Sequence, residues 1–152
     1  MRRNTSALKC LLVAVTVAGL TGAIGPTASA APPVDVSINA TVTQFTPTFQ
    51  GDWQSSGAIS DSGSFVEPFV RFTGSTEHSP VVAAFQAVLV FSGSQGTLAV
   101  RQQLTFTAAA SNGVWEVASG TGVYKGASGH GTFEFVFPNS LTFTGVISSR
   151  AP

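Results

Sequence analysis

The chain has almost no cysteine, little charge and no excess of either sign. Of its 152 residues one is Cys (Cys10) and 9% are charged, with Lys+Arg 7 balanced by Asp+Glu 7. A single thiol cannot close an internal disulfide, so the fold must be held by packing. Balanced charge excludes a basic nucleic-acid surface, which needs clustered Lys and Arg to displace phosphate counterions. Little charge beside 12 Phe also excludes a disordered polyelectrolyte, because there is ample apolar surface to bury. A clean helical period is missing throughout. So is a G-x-S-x-G elbow, and no Ser stands in recognisable relation to a His and an Asp. The histidines, His78 and His130, are 52 residues apart without a second ligand at metal spacing. Neither a metal nor a cofactor is therefore expected.

What is present begins with an N-terminal segment unlike the rest. Arg2, Arg3 and Lys9 precede the apolar run CLLVAVTVAGL, followed by small residues ending Ala28-Ser29-Ala30. A basic start, a short apolar stretch and an A-x-A site predict a secretory signal peptide over 1–30, cleaved after Ala30. Gly19, Gly22, Gly25 and Pro26 interrupt the run before it reaches the roughly 20 apolar residues a spanning helix needs. The exported chain is then expected to have no membrane span and an extracellular location. It would carry four basic side chains (Arg71, Arg101, Lys125, Arg150) against seven acidic ones, a net charge of −3, and no cysteine.

After a short leader at 31–33, residues 34–148 are rich in Thr, Val, Ser, Phe and Gly and punctuated by turn residues. Branched and aromatic side chains fit a pleated surface, so this composition predicts strands joined by hairpins. We read them at 34–43, 49–59, 64–73, 81–91, 97–107, 114–118, 131–137 and 140–148. Pro68 marks an edge, bulge or break in the third, and Asn112-Gly113 reads as the turn before the sixth. The run VVAAFQAVLVF at 81–91 is open to a buried helix by length; its Val and Phe content favours a strand buried on both faces. The class is all-β, an eight-stranded antiparallel barrel, with a β-sandwich as the alternative. Closure is favoured because so apolar a sheet with free edges would aggregate.

The most distinctive stretch is WEVASGTGVYKGASGHG at 115–131, with five glycines within twelve residues. It does not match the dinucleotide fingerprint: Gly120 and Gly122 are followed by Gly126, and no helix follows to receive a phosphate. It resembles the glycine-rich element between two late strands in the superfamily of allene oxide cyclase and dirigent barrels. The wider layout, with Phe85–Phe91 and Gly96-Thr97-Leu98 ahead of that element, is most similar to small bacterial barrel proteins of unknown function in that superfamily. The resemblance implies a calycin-like barrel over 34–148. It transfers no catalytic residue, and a fold of this kind does not fix a function.

Strand alternation then divides the side chains. Glu67, Glu116 and Glu134 would serve glycoside hydrolysis if they met, but Glu116 and Glu134 sit opposite the neighbouring aromatics and are expected outside. Arg101 shares a face with Thr and Gln and is also expected outside. Arg71 shares parity with Phe69 and is the candidate interior anchor. With it, Phe85, Leu89, Leu104, Phe106, Trp115 and Phe135 form the candidate barrel interior, which either packs solid or holds one small ligand. The sequence thus predicts a secreted barrel that binds a small apolar ligand or a partner surface rather than an enzyme. The alternative is a cyclase- or dirigent-like enzyme that steers a reactive substrate by confinement. A homo-oligomer would follow if the apolar strand at 81–91 left a face uncovered.

Overall fold

The computed structural model describes residues 32–74, 81–107 and 111–148. The segment at 1–30 and His78 lie outside these residues. Eight antiparallel strands follow one another around a closed barrel: β1 (Val34–Gln44), β2 (Gln50–Gly57), β3 (Ser62–Gly74), β4 (Val81–Gly93), β5 (Gly96–Thr107), β6 (Ser111–Gly120), β7 (Ser128–Val136) and β8 (Ser140–Ser148). One 3₁₀ turn, Gly122–Tyr124, lies between β6 and β7. Closure is made by β1 against β8, in register from Val34↔Ile147 to Thr41↔Ser140. That ladder removes the free edges a sandwich would leave, so the barrel replaces the sandwich alternative.

The inner face follows directly from period-2 patterning. On β1, Val36, Ile38, Ala40 and Val42 are buried while Asn39 and Thr41 are exposed. On β5, Leu98, Val100 and Gln102 point inward, and Arg101 and Gln103 outward. Aromatic rings fill the centre. Phe91 contacts Trp53, Phe65 and Phe143 at centroid distances of 5.3, 5.9 and 5.6 Å, and Phe133 stacks on Phe143 at 5.4 Å. Edge-to-face and offset contacts of this kind add to the burial of the rings themselves.

The residues 81–91 are strand, paired with β3 on one side and β5 on the other. Ala87, Leu89 and Phe91 are buried on the inner face, whereas Gln86, Val88 and Val90 on the outer face are only half-buried. Burial on both faces is therefore incomplete, because among the described residues nothing layers over the outside of this strand. The turn expected at Asn112-Gly113 is corrected. Both residues lie in β6, paired with Thr105 and Leu104 on β5 and with Glu134 and Phe133 on β7. Gly113 is there for space, since a Cβ would run into the Gln103 carbonyl and approach Phe133 Cε1 to 2.6 Å.

The glycine-rich stretch has a packing role. The Trp115 indole lies against the paired Gly131 and Gly145, and its Nε1 donates to the Thr132 and Thr144 carbonyls at 3.1 and 3.2 Å. A Cβ on Gly145 would stand 2.7 Å from Gly131 Cα and 2.8 Å from Trp115 Cζ2, so two bare backbones are what admit the ring.

Candidate functional site at the open end of the barrel

The two ends of the barrel differ. At one end, three connections are tied together by Asp61. Its Oδ1 accepts from the Ser62 N–H (2.9 Å), the Ser94 N–H (3.2 Å) and the Ser94 hydroxyl (3.0 Å). Its Oδ2 accepts from the Gln95 N–H (3.2 Å) and the Tyr124 hydroxyl (2.7 Å). Partial burial raises the pKa of Asp61, but the donors, led by Tyr124, outweigh it and hold the carboxyl at about 2. Burial and the same carboxylate push the Tyr124 hydroxyl above its ordinary range. Gly122, at φ +59°, lets the 3₁₀ turn start where Val123 N–H can reach the Gln95 carbonyl at 3.1 Å. A cleft of about 360 Å³ runs beside this plug, between Val34, Ile59, Val123, Tyr124 and Ile147.

The other end carries the aromatic surface. β2 pairs with β3 only as far as Gln50↔Val66, whereas β3 continues to Gly74 against β4 alone. The wall therefore rises higher on one side than the other. Phe85 and Phe106 meet at 6.2 Å, Phe106 and Phe135 at 6.5 Å, and Phe72 and Phe85 at 5.5 Å. Phe49 approaches Phe135 at 6.4 Å and Phe137 approaches it at 4.9 Å. Leu104 pairs with Phe85 on the same inner face. Phe45, Phe72 and Phe137 are 43%, 55% and 71% exposed, so this end presents rings to solvent where the opposite end is plugged.

Below the rings lies a polar floor. Glu67 and Gln102 are 8% and 3% exposed, and Gln102 Nε2 donates to Glu67 Oε1 at 3.3 Å. Burial drives the Glu67 pKa up to about 7, with the Gln102 hydrogen bond offsetting it only in part. Gln102 Oε1 and Ser111 Oγ are buried without a hydrogen-bond partner among the described residues. Ser111 sits higher on the wall, paired in register with Phe106 on one side and Phe135 on the other.

Of the residues the sequence singled out, Phe85, Leu104, Phe106 and Phe135 come together at this end. Leu89 and Trp115 are on the inner face but belong to the packed core, 1% and 2% exposed. Arg71 is corrected: it is exposed and lies outside. Between Val66↔Val90 and Phe69↔Val88, Glu67 and Pro68 together oppose the single residue Leu89. This bulge reverses the side-chain parity of β3, so that Val70 and Phe72 face the same way as Ala87 and Phe85, and Arg71 pairs with outward Gln86. Glu116 and Glu134 are exposed, as alternation predicts, and cannot meet Glu67 as a catalytic pair. Glu116 instead pairs with Arg101 at 2.6 Å on the outer surface. Exposed His130 pairs in the ladder with Glu116, and no three potential metal ligands converge among the described residues. The sequence reading missed two features: the interior position of Glu67, signalled by its two-residue spacing from Phe65, and the Asp61 plug, which no local pattern signals.

No protein-family model matches the chain, and no curated protein matches it in sequence.

Proposed function

We propose that this protein is an exported small-molecule carrier that takes an apolar ligand into the ring-lined open end of its barrel. The carrying observation is the asymmetry of the two ends. Phe85, Leu104, Phe106 and Phe135 gather under an exposed aromatic rim, while Asp61 and Tyr124 plug the opposite end. Apolar and aromatic side chains with a few convergent polar groups are the usual lining of a ligand site. The floor of Glu67 and Gln102 supplies those groups. Export is supported by the basic, apolar and A-x-A pattern of 1–30, and membership of the allene oxide cyclase and dirigent superfamily by the W…SGTGxYxGxxGxG element.

The test is a fluorescence titration of the intact protein with N-phenyl-1-naphthylamine, a neutral apolar dye. Saturable enhancement is expected, weakened roughly tenfold by Phe106→Ala, whose ring touches both Phe85 and Phe135. Absence of saturable binding, or equal binding by that variant, refutes the reading. Mass spectrometry of protein secreted into the medium should find Ala31 as the first residue.

A further inference from the structure

We propose that the ligand of the open end is a hydrophobic amine, its ammonium held by the Glu67 carboxylate and the Gln102 amide oxygen beneath the Phe85, Phe106 and Phe135 rings. This rests on the ligand-binding reading above and narrows it to one chemical class.

The argument starts from what the floor offers. Gln102 uses its Nε2 donor on Glu67 Oε1, leaving its own Oε1 as a buried acceptor without a donor. Leaving such an acceptor unsatisfied in the interior is costly, so a ligand that supplies a donor there recovers that cost. Ser111 Oγ is a second unpartnered polar atom on the same wall. At the floor itself the Glu67 carboxylate and Gln102 Oε1 are acceptors, and the complementary group is a donor.

Charge decides which donor. Arg71, Arg101, Lys125 and His130, the basic residues described, are all exposed, so none of them answers the interior carboxyl. An arriving ammonium brings several N–H donors, enough for the Glu67 carboxylate and Gln102 Oε1 together, and it compensates the buried charge. The walls favour the same ion, because the faces of aromatic rings carry negative potential and attract desolvated cations. An alcohol would supply one donor and leave the carboxyl unpaired. A carboxylate would place like charge beside Glu67. The elevated pKa of Glu67, about 7, is the mark of a buried carboxyl lacking such a partner.

The experiment displaces N-phenyl-1-naphthylamine from the intact protein with octylamine, octanol and octanoate, matched in chain length. Octylamine is expected to displace the dye at a concentration roughly tenfold below octanol, with octanoate weakest. In Glu67→Gln, which keeps the size and the Gln102 contact, octylamine should fall level with octanol, each displacement being referred to the dye affinity of that variant itself. Gln102→Leu should weaken octylamine several-fold more than octanol. If the dye binds but octanol or octanoate equals octylamine, or if Glu67→Gln keeps the preference, the amine assignment is overturned while the apolar site stands. If the dye does not bind at all, both fall together.

Discussion

Glu67 and Arg71 lie four residues apart on one strand yet on opposite sides of the barrel wall. The extra residue at Glu67-Pro68 absorbs the parity, so the carboxyl is kept inside and the guanidinium outside. Deleting Pro68 takes out the extra residue and leaves Glu67 alone opposite Leu89 with Phe69 still opposite Val88, so Arg71 is expected to stay outside and Val70 and Phe72 to keep their facing. Urea unfolding of that variant should stay cooperative; an inward Arg71, seen as a loss of cooperativity, would contradict the assigned bulge. Arg71→Ala should likewise change stability by less than about 0.5 kcal/mol, as exposed substitutions do, and leave dye binding unchanged.

Two carboxyls set the pH dependence of stability, in opposite directions. Glu67 is raised from 4.5 to about 7, so the folded state holds its proton more tightly and stability falls as pH rises from about 4.5 through 7. Asp61 is lowered from 3.8 to about 2, so its contribution is complete above pH 3.8 and is lost as pH falls toward 2. The melting temperature should therefore peak between pH 4 and 5. By pH 7.5 it should have fallen by roughly 8 °C, corresponding to about 2 kcal/mol once solvent access to the carboxyl is allowed for. Glu67→Gln should flatten the neutral limb and leave the acid limb intact; thermal melts from pH 2 to 8 test both.

Tyr124→Phe removes the 2.7 Å hydrogen bond to Asp61. The expected cost is about 1.5 kcal/mol, as for a bond to a charged acceptor. The acid limb should move to higher pH as Asp61 loses its strongest donor. Because this plug lies at the far end of the barrel, dye binding should be unaffected. Urea melts at pH 3 and pH 6, with a parallel dye titration, separate the two effects.

Gly145→Ala is expected to be far costlier than its size suggests. The new Cβ would meet Gly131 Cα and Trp115 Cζ2 at 2.7 and 2.8 Å, lifting the indole from the Thr132 and Thr144 carbonyls. Overpacking with a lost buried hydrogen bond should destabilise by about 3 kcal/mol or more. Tryptophan emission should shift to the red.

Why some of this was legible in the sequence and some was not follows from range. The alternation of Val36, Ile38, Ala40 and Val42, and of Leu98, Val100 and Gln102, needs only two-residue spacing and gave the inner face correctly. It failed at Arg71 because Arg71 does share a face with Phe69, but the bulge just before them turns both outward, although Pro68 marked the place. Asn112-Gly113 carries a hairpin signal, but the glycine there makes room for Phe133 across the ladder, a contact no local pattern announces. Asp61 was equally hidden: Ser94, Gln95 and Tyr124 reach it from 33, 34 and 63 residues away. The aromatic end was half visible. Phe85, Phe106 and Phe135 could be placed inside, but which rings face solvent depends on how far β3 overshoots β2.

The most direct test is a set of intermolecular NOEs between octylamine and protein with labelled aromatic rings. Contacts from the alkyl chain to Phe85, Phe106 and Phe135, with the amine-bearing carbon nearest Gln102, are predicted. Contacts confined to Val123, Tyr124 and Ile147, at the plugged end, would contradict the account.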